Sequence, residues 1–503
     1  MRALVLTIVL ASVWCAMTVR AQFEVRTEAQ VTAASGDYTP LWLNANKYGL
    51  SSLDKTNGYV RVGAFRPIAT DSLRRLAWGA GLDMAVAGGF TSTLVVQQAY
   101  GELRWLKGLL TVGSKEHPME LKSQELSSGS QTLGINARPV PGVRLSLPTY
   151  WNVPGTKGWV GLKGHIFFGM QTDDNWQKDF TYQSTKFTEH AKLHTKAGYL
   201  RIGRQDKPFN VELGLEMACQ FGGTSYAYGI DDPPIKSLET LNSYFHAFMS
   251  GGTETNNDPY ENNEGNHLGS WVMRANVDYE TWGASVYADH FFEDHSSMFF
   301  LDYDGYGNGE EWNERKNDRY LAYKLKDMML GMEFRLKQVA WLDKIVVEYI
   351  YTKYQSGPIY HDHSQIISDH VGGNDDYYNH FLQTGWQHWG QVMGNPLYLS
   401  PLYNADHQIM IEDNRFWAWH LGVSGNPLNG LHYRLLGTWQ KGWGLYILPY
   451  DEPKNNFSLL AETSYSFSNG WRVKGAFGLD SGKLLGNNYG VQLTVGKTFE
   501  IKQ

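Results

Sequence analysis

The C-terminal stretch YGVQLTVGKTFEI, residues 489–501, decides the fold of the chain. Its odd-numbered positions are mostly apolar or aromatic, and its even-numbered positions are small or polar. Because side chains in a β-strand alternate between two faces, one face of this strand is apolar and the other is polar. The pattern recurs along the chain, and the last strand carries Phe499 almost at the terminus. This pattern is typical of a bacterial outer-membrane β-barrel, whose apolar face meets lipid and whose polar face lines the lumen.

Composition agrees with a barrel. The chain has 503 residues, of which 19% are charged and 14% are aromatic, with a net charge of −7. No run of about 18 apolar residues follows the N-terminal segment, so we expect no membrane-spanning helix. The mean hydropathy of −0.40 fits strands in which only every second residue faces lipid. The acidic balance, without a basic stripe, argues against nucleic acid as a partner.

Residues 1–21 are predicted to be a signal peptide. Arg2 supplies the positive end, Ala3 to Val13 the apolar segment, and Val19 to Ala21 the cleavage site. The alternative is an N-terminal anchor, but the apolar segment is too short to span a membrane. Cleavage would leave residues 22–503 as one barrel, with Cys219 as its single cysteine. We therefore expect no intrachain disulfide.

Alternating hydrophobicity predicts an all-β, antiparallel transmembrane barrel of about 18 strands, an even number as such barrels require. In the clearest strand, Met332 is predicted to face lipid and Glu333 the lumen. After a first strand at Phe23 to Val31, the remaining strands are expected near 57–67, 76–88, 94–105, 109–114, 140–148, 158–170, 193–204, 211–220, 268–279, 281–290, 327–337, 343–355, 412–424, 431–445, 457–467, 471–480 and 488–501.

Connection lengths alternate between short and long. The short turns are expected at 69–75, 106–108, 205–208, 279–281, 338–342, 425–430 and 468–470. The long loops are expected at 115–135, 171–190, 221–267, 291–326 and 356–411. Barrels of this kind place short turns in the periplasm and long loops outside the cell. The strand order puts every long loop at one end, which we predict to be extracellular.

The long loops are expected to fold over the lumen, which would otherwise be an aqueous channel. Aromatic faces can stack on sugar rings, and amides can bond sugar hydroxyls. We therefore hypothesise that six residues of the longest loop form a glycan-binding surface. They are Trp386, Trp389, Tyr377, Tyr378, His388 and Asn395. The alternative interpretation is that these rings only pack the loop into the barrel.

Four stretches resemble the capsule assembly (Wzi) family of outer-membrane proteins, particularly its Bacteroidetes branch. They are TPLWLNANKYGL at Thr39–Leu50, TLGINARPVPGVRLS at Thr132–Ser146, LRIGRQDKPF at Leu200–Phe209 and HWGQVMGNPLYLSPLYN at His388–Asn404. The resemblance implies an 18-stranded barrel whose outer loops fold over the pore. It also implies a lectin-like role that anchors capsular polysaccharide or a related glycan at the cell surface.

Two metal sites are weaker alternatives. Imidazole and carboxylate groups that suit zinc occur at His361, His363, Asp369, His370, Asp375, Asp376 and His380, although solvated loop residues would look the same. The run from Asp302 to Asn308 resembles a calcium loop, but Tyr306 replaces one ligand and Asn313 stands where a glutamate belongs. We therefore expect no metal or other cofactor.

The sequence thus predicts a monomeric outer-membrane protein that binds capsular or related surface polysaccharide through its outer loops. A hydrolase is not expected, because no nucleophile motif such as G-x-S-x-G is evident. The other expected partners are outer-membrane lipid and the barrel-assembly machinery. The alternative function is an open channel for sugars or other small solutes, which a single-channel conductance measurement would distinguish.

Overall fold

A computed structural model describes residues 22–68, 75–237, 239–250, 264–293, 301–303, 310, 314, 320–322, 327–360 and 371–502. Within these residues, eighteen antiparallel strands form one sheet. In chain order they are β1 (Gln22–Ser35), β2 (Thr56–Arg66), β3 (Leu76–Gly88), β4 (Leu94–Trp105), β5 (Gly108–Ser114), β6 (Gly142–Asn152), β7 (Val160–Met170), β8 (Lys192–Ile202), β9 (Phe209–Phe221), β10 (Asn266–Asp278), β11 (Trp282–Glu293), β12 (Met328–Leu336), β13 (Lys344–Tyr351), β14 (Phe416–Leu428), β15 (Leu431–Gly444), β16 (Pro449–Ser466), β17 (Trp471–Gly482) and β18 (Asn488–Lys502).

The sheet closes on itself because the first and last strands pair. β1 runs antiparallel to β18, from Gln22 opposite Lys502 to Ser35 opposite Tyr489. A closed barrel leaves no strand edge without hydrogen-bond partners, as a lipid environment requires. The stretch at 489–501 therefore forms most of the seam, and the predicted all-β barrel of about 18 strands is confirmed.

Most strand boundaries agree with the sequence within a few residues, and the largest difference lies in β16. Alternation predicted this strand from residue 457, whereas it begins at Pro449, where Gly444 of β15 is its partner. The extra residues, PYDEPKNN, contain little apolar alternation because they extend the hairpin beyond the lipid-facing band. Backbone pairing, which hydropathy does not report, decides this boundary.

The two faces of the wall follow the predicted alternation. In β12, Leu330, Met332 and Phe334 are each more than 40% exposed on the outside, whereas Glu333 is 4% exposed.

The long connections lie together at one end of the barrel and most of the short turns lie at the other. By the general rule for outer-membrane barrels, the end with long loops faces outside the cell. No helix in the described parts of the chain is long and apolar enough to cross a membrane.

The long loops carry the remaining regular structure. Their described residues contain three short helices, α1 (Leu41–Asn44), α2 (Trp176–Phe180) and α3 (Leu241–Met249), and a 3-10 turn at Pro401–Tyr403. They also contain short strands at Phe187–Glu189, Thr224–Tyr226, Ile235–Lys236, Leu301–Tyr303, Tyr320–Ala322, Ser356–Tyr360, Val371–Asn374, Gln387–His388 and Gln391–Val392. The predicted signal peptide at residues 1–21 lies outside the described residues.

Candidate functional site

Three loops turn inward and fill the outer half of the lumen. They are the connections 36–55 and 115–141 and the described parts of the connection 352–415, which are residues 352–360 and 371–415, and together we call them the plug. Their apolar side chains, including Leu41, Trp42, Leu126, Tyr398 and Trp386, join lumen-facing wall residues in one buried cluster. The main hydrophobic core therefore lies inside the barrel, as the predicted folding of the loops over the lumen requires.

Polar wall residues fix the first turn of the plug. The Trp42 indole donates a hydrogen bond to the Thr438 hydroxyl at 3.1 Å, and the Leu41 amide donates to the Asp480 carboxylate at 3.0 Å. Trp42 and Leu41 belong to α1, within the TPLWLNANKYGL stretch at Thr39–Leu50. The wall supplies acceptors for the backbone and ring N–H groups that this turn buries, which removes the cost of leaving them unpaired.

A buried carboxylate on β13 holds the loop 115–141. Glu348 accepts hydrogen bonds from the Ser127 hydroxyl at 2.6 Å, the Ser128 amide at 2.8 Å and the Ser128 hydroxyl at 2.5 Å. The Tyr287 hydroxyl of β11 also donates to Glu348, at 2.6 Å. A carboxylate buried among four donors is satisfied without water. The SSGS run at residues 127–130 is therefore positioned by the wall.

A buried ion pair holds the same loop a few residues away. Lys122 lies 2.8 Å from the Asp289 carboxylate of β11, and both side chains are at most 1% exposed. Asp289 also accepts a hydrogen bond from the Gln131 amide at 3.0 Å. Breaking such a pair would leave an uncompensated buried charge, so the loop can occupy few alternative positions.

The structure places five of the six predicted glycan-binding residues in the interior. Tyr377, Tyr378, Trp386, His388 and Asn395 are each at most 2% exposed. The Trp386 indole donates to the Thr132 carbonyl at 2.9 Å, and the Tyr378 ring stacks on Tyr398 with a centroid distance of 4.1 Å. Their ring faces are covered by protein, as the packing interpretation expects. Direct sugar contact by these five residues stays a prediction, and it would require the plug to open.

His388 joins three loops as a neutral ring. Its Nδ1 lies 2.9 Å from the Arg138 carbonyl, to which it donates, and its Nε2 accepts from the Thr172 amide at 3.1 Å. Burial lowers the pKa of His388 to about 4. A neutral imidazole with one donor and one acceptor satisfies both contacts at physiological pH.

Trp389, the sixth predicted residue, is partly exposed at the tip of a tight hairpin. Gln387 pairs with Val392 and His388 with Gln391, so the turn consists of Trp389 and Gly390. Both turn residues have positive φ angles, of 55° and 76°. This is the geometry of a type I′ hairpin, in which a glycine at the second position is favoured. The turn directs the Trp389 side chain away from the buried cluster.

The Trp389 ring borders a pocket of about 230 Å³ at the outer end of the barrel. Phe90 and Phe180 supply two further aromatic rings, and Gln391 and Asp54 are among its polar lining residues. This outer pocket is formed by four different loops, at 49–54, 89–91, 180 and 389–402. Aromatic faces beside hydrogen-bonding groups can hold a molecule that has one apolar face and a polar edge.

Contacts behind the outer pocket hold its tryptophan. The Arg138 guanidinium lies over the Trp389 ring, 4.2 Å from its centroid, and donates to the Thr91 hydroxyl at 3.3 Å. Gln391 donates to the Ser51 hydroxyl at 3.0 Å. Burial lowers the pKa of Arg138 to about 10, which still leaves it charged at neutral pH. The cation–π contact orients the ring before any ligand arrives.

The sequence did not identify Phe90, Phe180 and Arg138 as parts of a site. Phe90 lies in the five-residue connection between β3 and β4, which is much shorter than the long loops in which the sequence predicts a binding surface. Phe180 ends α2 and stacks on Trp176 at a centroid distance of 5.0 Å. The aromatic content of these loops was the available signal, but nothing in the sequence indicates which loops meet.

The described residues contain no group of three or more His, Cys, Asp or Glu side chains that could hold a metal. Of the predicted zinc ligands, Asp375, Asp376 and His380 are described, whereas His361, His363, Asp369 and His370 lie outside the described residues. In His380, Nδ1 accepts from the Leu382 and Gln383 amides at 3.2 and 3.1 Å, which gives that nitrogen a structural role. Most of the predicted calcium loop, residues 304–309, also lies outside the described residues.

Comparison with known proteins supports the fold. No protein-family model matches the chain, and no curated protein matches it. Among solved structures, the chain is similar to Wzi, an outer-membrane protein involved in group 1 capsule assembly in Escherichia coli and described as a carbohydrate-binding β-barrel. The identity is 14%, the TM-score is 0.57, and the match covers 98% of this chain and 88% of Wzi.

Two further similar structures are OccK5 of Pseudomonas aeruginosa and OccAB2 of Acinetobacter baumannii. Each is 8% identical, with a TM-score of 0.47 and coverage of 96% of this chain and 98% of the other. The closed sheet and the likeness to Wzi together show that the chain is an 18-stranded β-barrel of the outer membrane with a Wzi-like fold.

Proposed function

We propose that this protein binds a surface polysaccharide at the outer pocket and holds it at the cell surface, without catalysing a reaction. The outer pocket carries the proposal, because three aromatic rings from separate loops converge beside polar groups at the extracellular end. The pocket is small and open. It therefore suits one ring or one chain end of a polymer, rather than a fully enclosed small molecule.

The plug supports a binding role over transport. Trp386, Tyr378, Tyr398 and Leu126 fill the lumen below the outer pocket and are at most 2% exposed. A solute would have to displace this core to pass. The likeness to a carbohydrate-binding barrel involved in capsule assembly suggests capsular polysaccharide as the ligand class, although at 14% identity that likeness shows the fold alone. We further propose that the protein is a monomer inserted by the barrel-assembly machinery.

Trp389→Ala tests the proposal. Capsular polysaccharide retained on intact cells, and polysaccharide captured by the purified barrel, should both fall by about tenfold or more, since truncating a central aromatic contact commonly costs at least about 2 kcal/mol. Trp341→Ala is the matched control, because Trp341 is 64% exposed in a turn at the opposite end of the barrel. Its binding should be unchanged.

Both variants should remain folded, as judged by heat-modifiable migration in electrophoresis. Phe180→Ala should weaken binding in the same direction as Trp389→Ala, since both rings border the outer pocket. If folded Trp389→Ala and Phe180→Ala barrels hold as much polysaccharide as the unaltered protein, the outer pocket is not the glycan site.

A further inference from the structure

A second cavity, of about 140 Å³, lies between the plug and the barrel wall. Residues of β5 to β8 form its outer side, and the loop 115–141 forms its inner side. Its lining is rich in nitrogen-bearing side chains, namely Lys115, His117, Arg138, Arg144 and His165. It is distinct from the outer pocket, and the two share no lining residue.

Arg144 of β6 is the central observation. Its neighbours Val143 and Leu145 are 50% and 58% exposed on the lipid side, so Arg144 points into the lumen and lines the cavity. Protein covers most of Arg144, and the residue is partly exposed. Yet within the described chain Arg144 has no hydrogen-bond acceptor and no carboxylate within ion-pair distance. A partly buried guanidinium without an acceptor can bind an anion beside it through charge-assisted hydrogen bonds.

Three other lumen-facing arginines of the wall have carboxylate partners. Arg61 lies 2.5 Å from Asp83, and Arg434 lies 2.8 Å from Glu462. Arg335 lies 2.6 Å from Glu333. Arg144 differs from these three arginines in having no carboxylate partner, and its guanidinium, with five donors, lines the cavity.

The nearby carboxylates are already occupied. Glu120, which lines the cavity, forms an ion pair with Lys163. Lys115 is paired in turn with Glu102. The positive charges of Arg138 and Arg144 therefore remain without a paired carboxylate, and the cavity has an excess of positive charge.

We propose that this cavity binds a small oxyanion, either a free phosphate or sulfate ion or the carboxylate of an acidic sugar, with Arg144 as its main ligand. The planar guanidinium can donate two parallel hydrogen bonds to such a group. The His117 ring and the hydroxyls of Thr111 and Thr195 also line the cavity and can supply further donors. A cavity of about 150 Å³ holds a benzene-sized molecule, so an oxyanion fits.

The test uses the full purified barrel in detergent, in a buffer free of phosphate and sulfate. Inorganic phosphate, sulfate, glucuronate and glucose are titrated separately by calorimetry. At least one of the three anions should bind, and glucose should not. Arg144→Gln should weaken that binding by about 10- to 100-fold, the usual range for a lost charge-assisted hydrogen bond. The anion that binds most tightly distinguishes a free ion from an acidic sugar.

Arg335→Gln is the matched control. Arg335 also projects from the wall into the lumen, but it is paired with Glu333 and does not line this cavity, so anion binding should be unchanged. Arg144→Lys provides a second variant if Arg144→Gln fails to fold, since it keeps the charge but loses the paired donors, and it should also weaken binding. The proposal is overturned if no anion binds the unaltered barrel, if glucose binds equally well, or if folded Arg144 variants bind as the unaltered protein does.

Discussion

At the scale of single residues, buried carboxylates attach the plug to the wall. Asp413 lies at the end of the loop 352–415 and has no exposed surface. It accepts hydrogen bonds from the Gly444 amide at 2.9 Å and from the Gln440 amide group at 3.4 Å, both in β15. No basic side chain forms an ion pair with Asp413 within the described residues. Burial raises the pKa of Asp413 to about 7.

This shift predicts a pH dependence of stability. An exposed aspartate in the unfolded chain has a pKa of about 3.9, so between pH 4 and 7 the unfolded chain loses a proton that the native protein keeps. Stability should therefore fall as pH rises through that window. Asp413→Asn keeps an acceptor and removes the titration, so denaturant unfolding should show a smaller loss between pH 5 and 8. One pKa unit corresponds to about 1.4 kcal/mol, which limits the difference to a few kcal/mol.

The control for this measurement is Asp206→Asn, because Asp206 is exposed in the turn between β8 and β9 and is paired with Arg204. That variant should follow the pH dependence of the unaltered protein. Equal pH dependence of Asp413→Asn and the unaltered barrel would show that Asp413 is ionised in the native plug.

At the scale of the strand, alternation assigns opposite environments to neighbouring residues. Met332 is 46% exposed on the outer face of β12, whereas Glu333 is 4% exposed inside. Glu333 lies 2.6 Å from Arg335 and 3.1 Å from Arg274, so its charge is neutralised within the lumen. A shift of pairing by one residue would exchange these environments along the whole strand.

Met332→Arg should therefore prevent assembly far more than Glu333→Gln does. An arginine on the lipid face near the membrane midplane costs about 2–4 kcal/mol. Glu333→Gln removes a lumenal charge but leaves hydrogen-bond acceptors for Arg274 and Arg335. The amount of folded, heat-modifiable barrel in outer-membrane fractions measures the difference. Equal amounts for the two variants would contradict the lipid exposure of Met332.

At the scale of the whole molecule, the protein is a barrel whose core is made by its loops. Lipid covers the outer apolar face of the wall, so the largest buried apolar cluster forms where the plug meets the inner face. Trp386 lies in this cluster and is 2% exposed. Because the plug fills the lumen, we expect the unaltered barrel to show almost no conductance in single-channel recordings.

Trp386→Ala should loosen the plug and raise the conductance. Truncating a buried tryptophan costs about 3–5 kcal/mol, and the wall hydrogen bonds of the strands do not depend on this ring. The barrel should stay folded while the plug opens. Trp439→Ala is the control, because Trp439 is 48% exposed on the outer face of the same wall and its loss should leave conductance unchanged. If the Trp386→Ala barrel is folded and its conductance stays low, while cells lose their surface polysaccharide, the result would instead favour the glycan-binding hypothesis for Trp386.

The barrel wall could be predicted from the amino-acid sequence alone. Side chains of a strand alternate with a period of two, and lipid on one side makes the alternation visible in residues such as Met332 and Glu333. The number of strands, the face of each residue and the end that carries the long loops all follow from this local rule. Strand ends that extend beyond the lipid, such as the one at Pro449, lack the alternation, so the sequence predicts their boundaries less well.

The positions of the loop side chains, in contrast, depend on tertiary contacts that the sequence pattern does not reveal. Trp386 and Trp389 are three residues apart in one aromatic stretch. Trp386 is buried and its indole donates a hydrogen bond to the Thr132 carbonyl. Trp389, in contrast, borders the outer pocket, and its ring contacts the Arg138 guanidinium. Loops follow no repeating pattern, so their composition does not indicate which side chains meet. The positions of Phe90, Arg138 and Arg144 depend on contacts between segments far apart in the chain, and such contacts exist only once the barrel has closed and the loops have packed inside it.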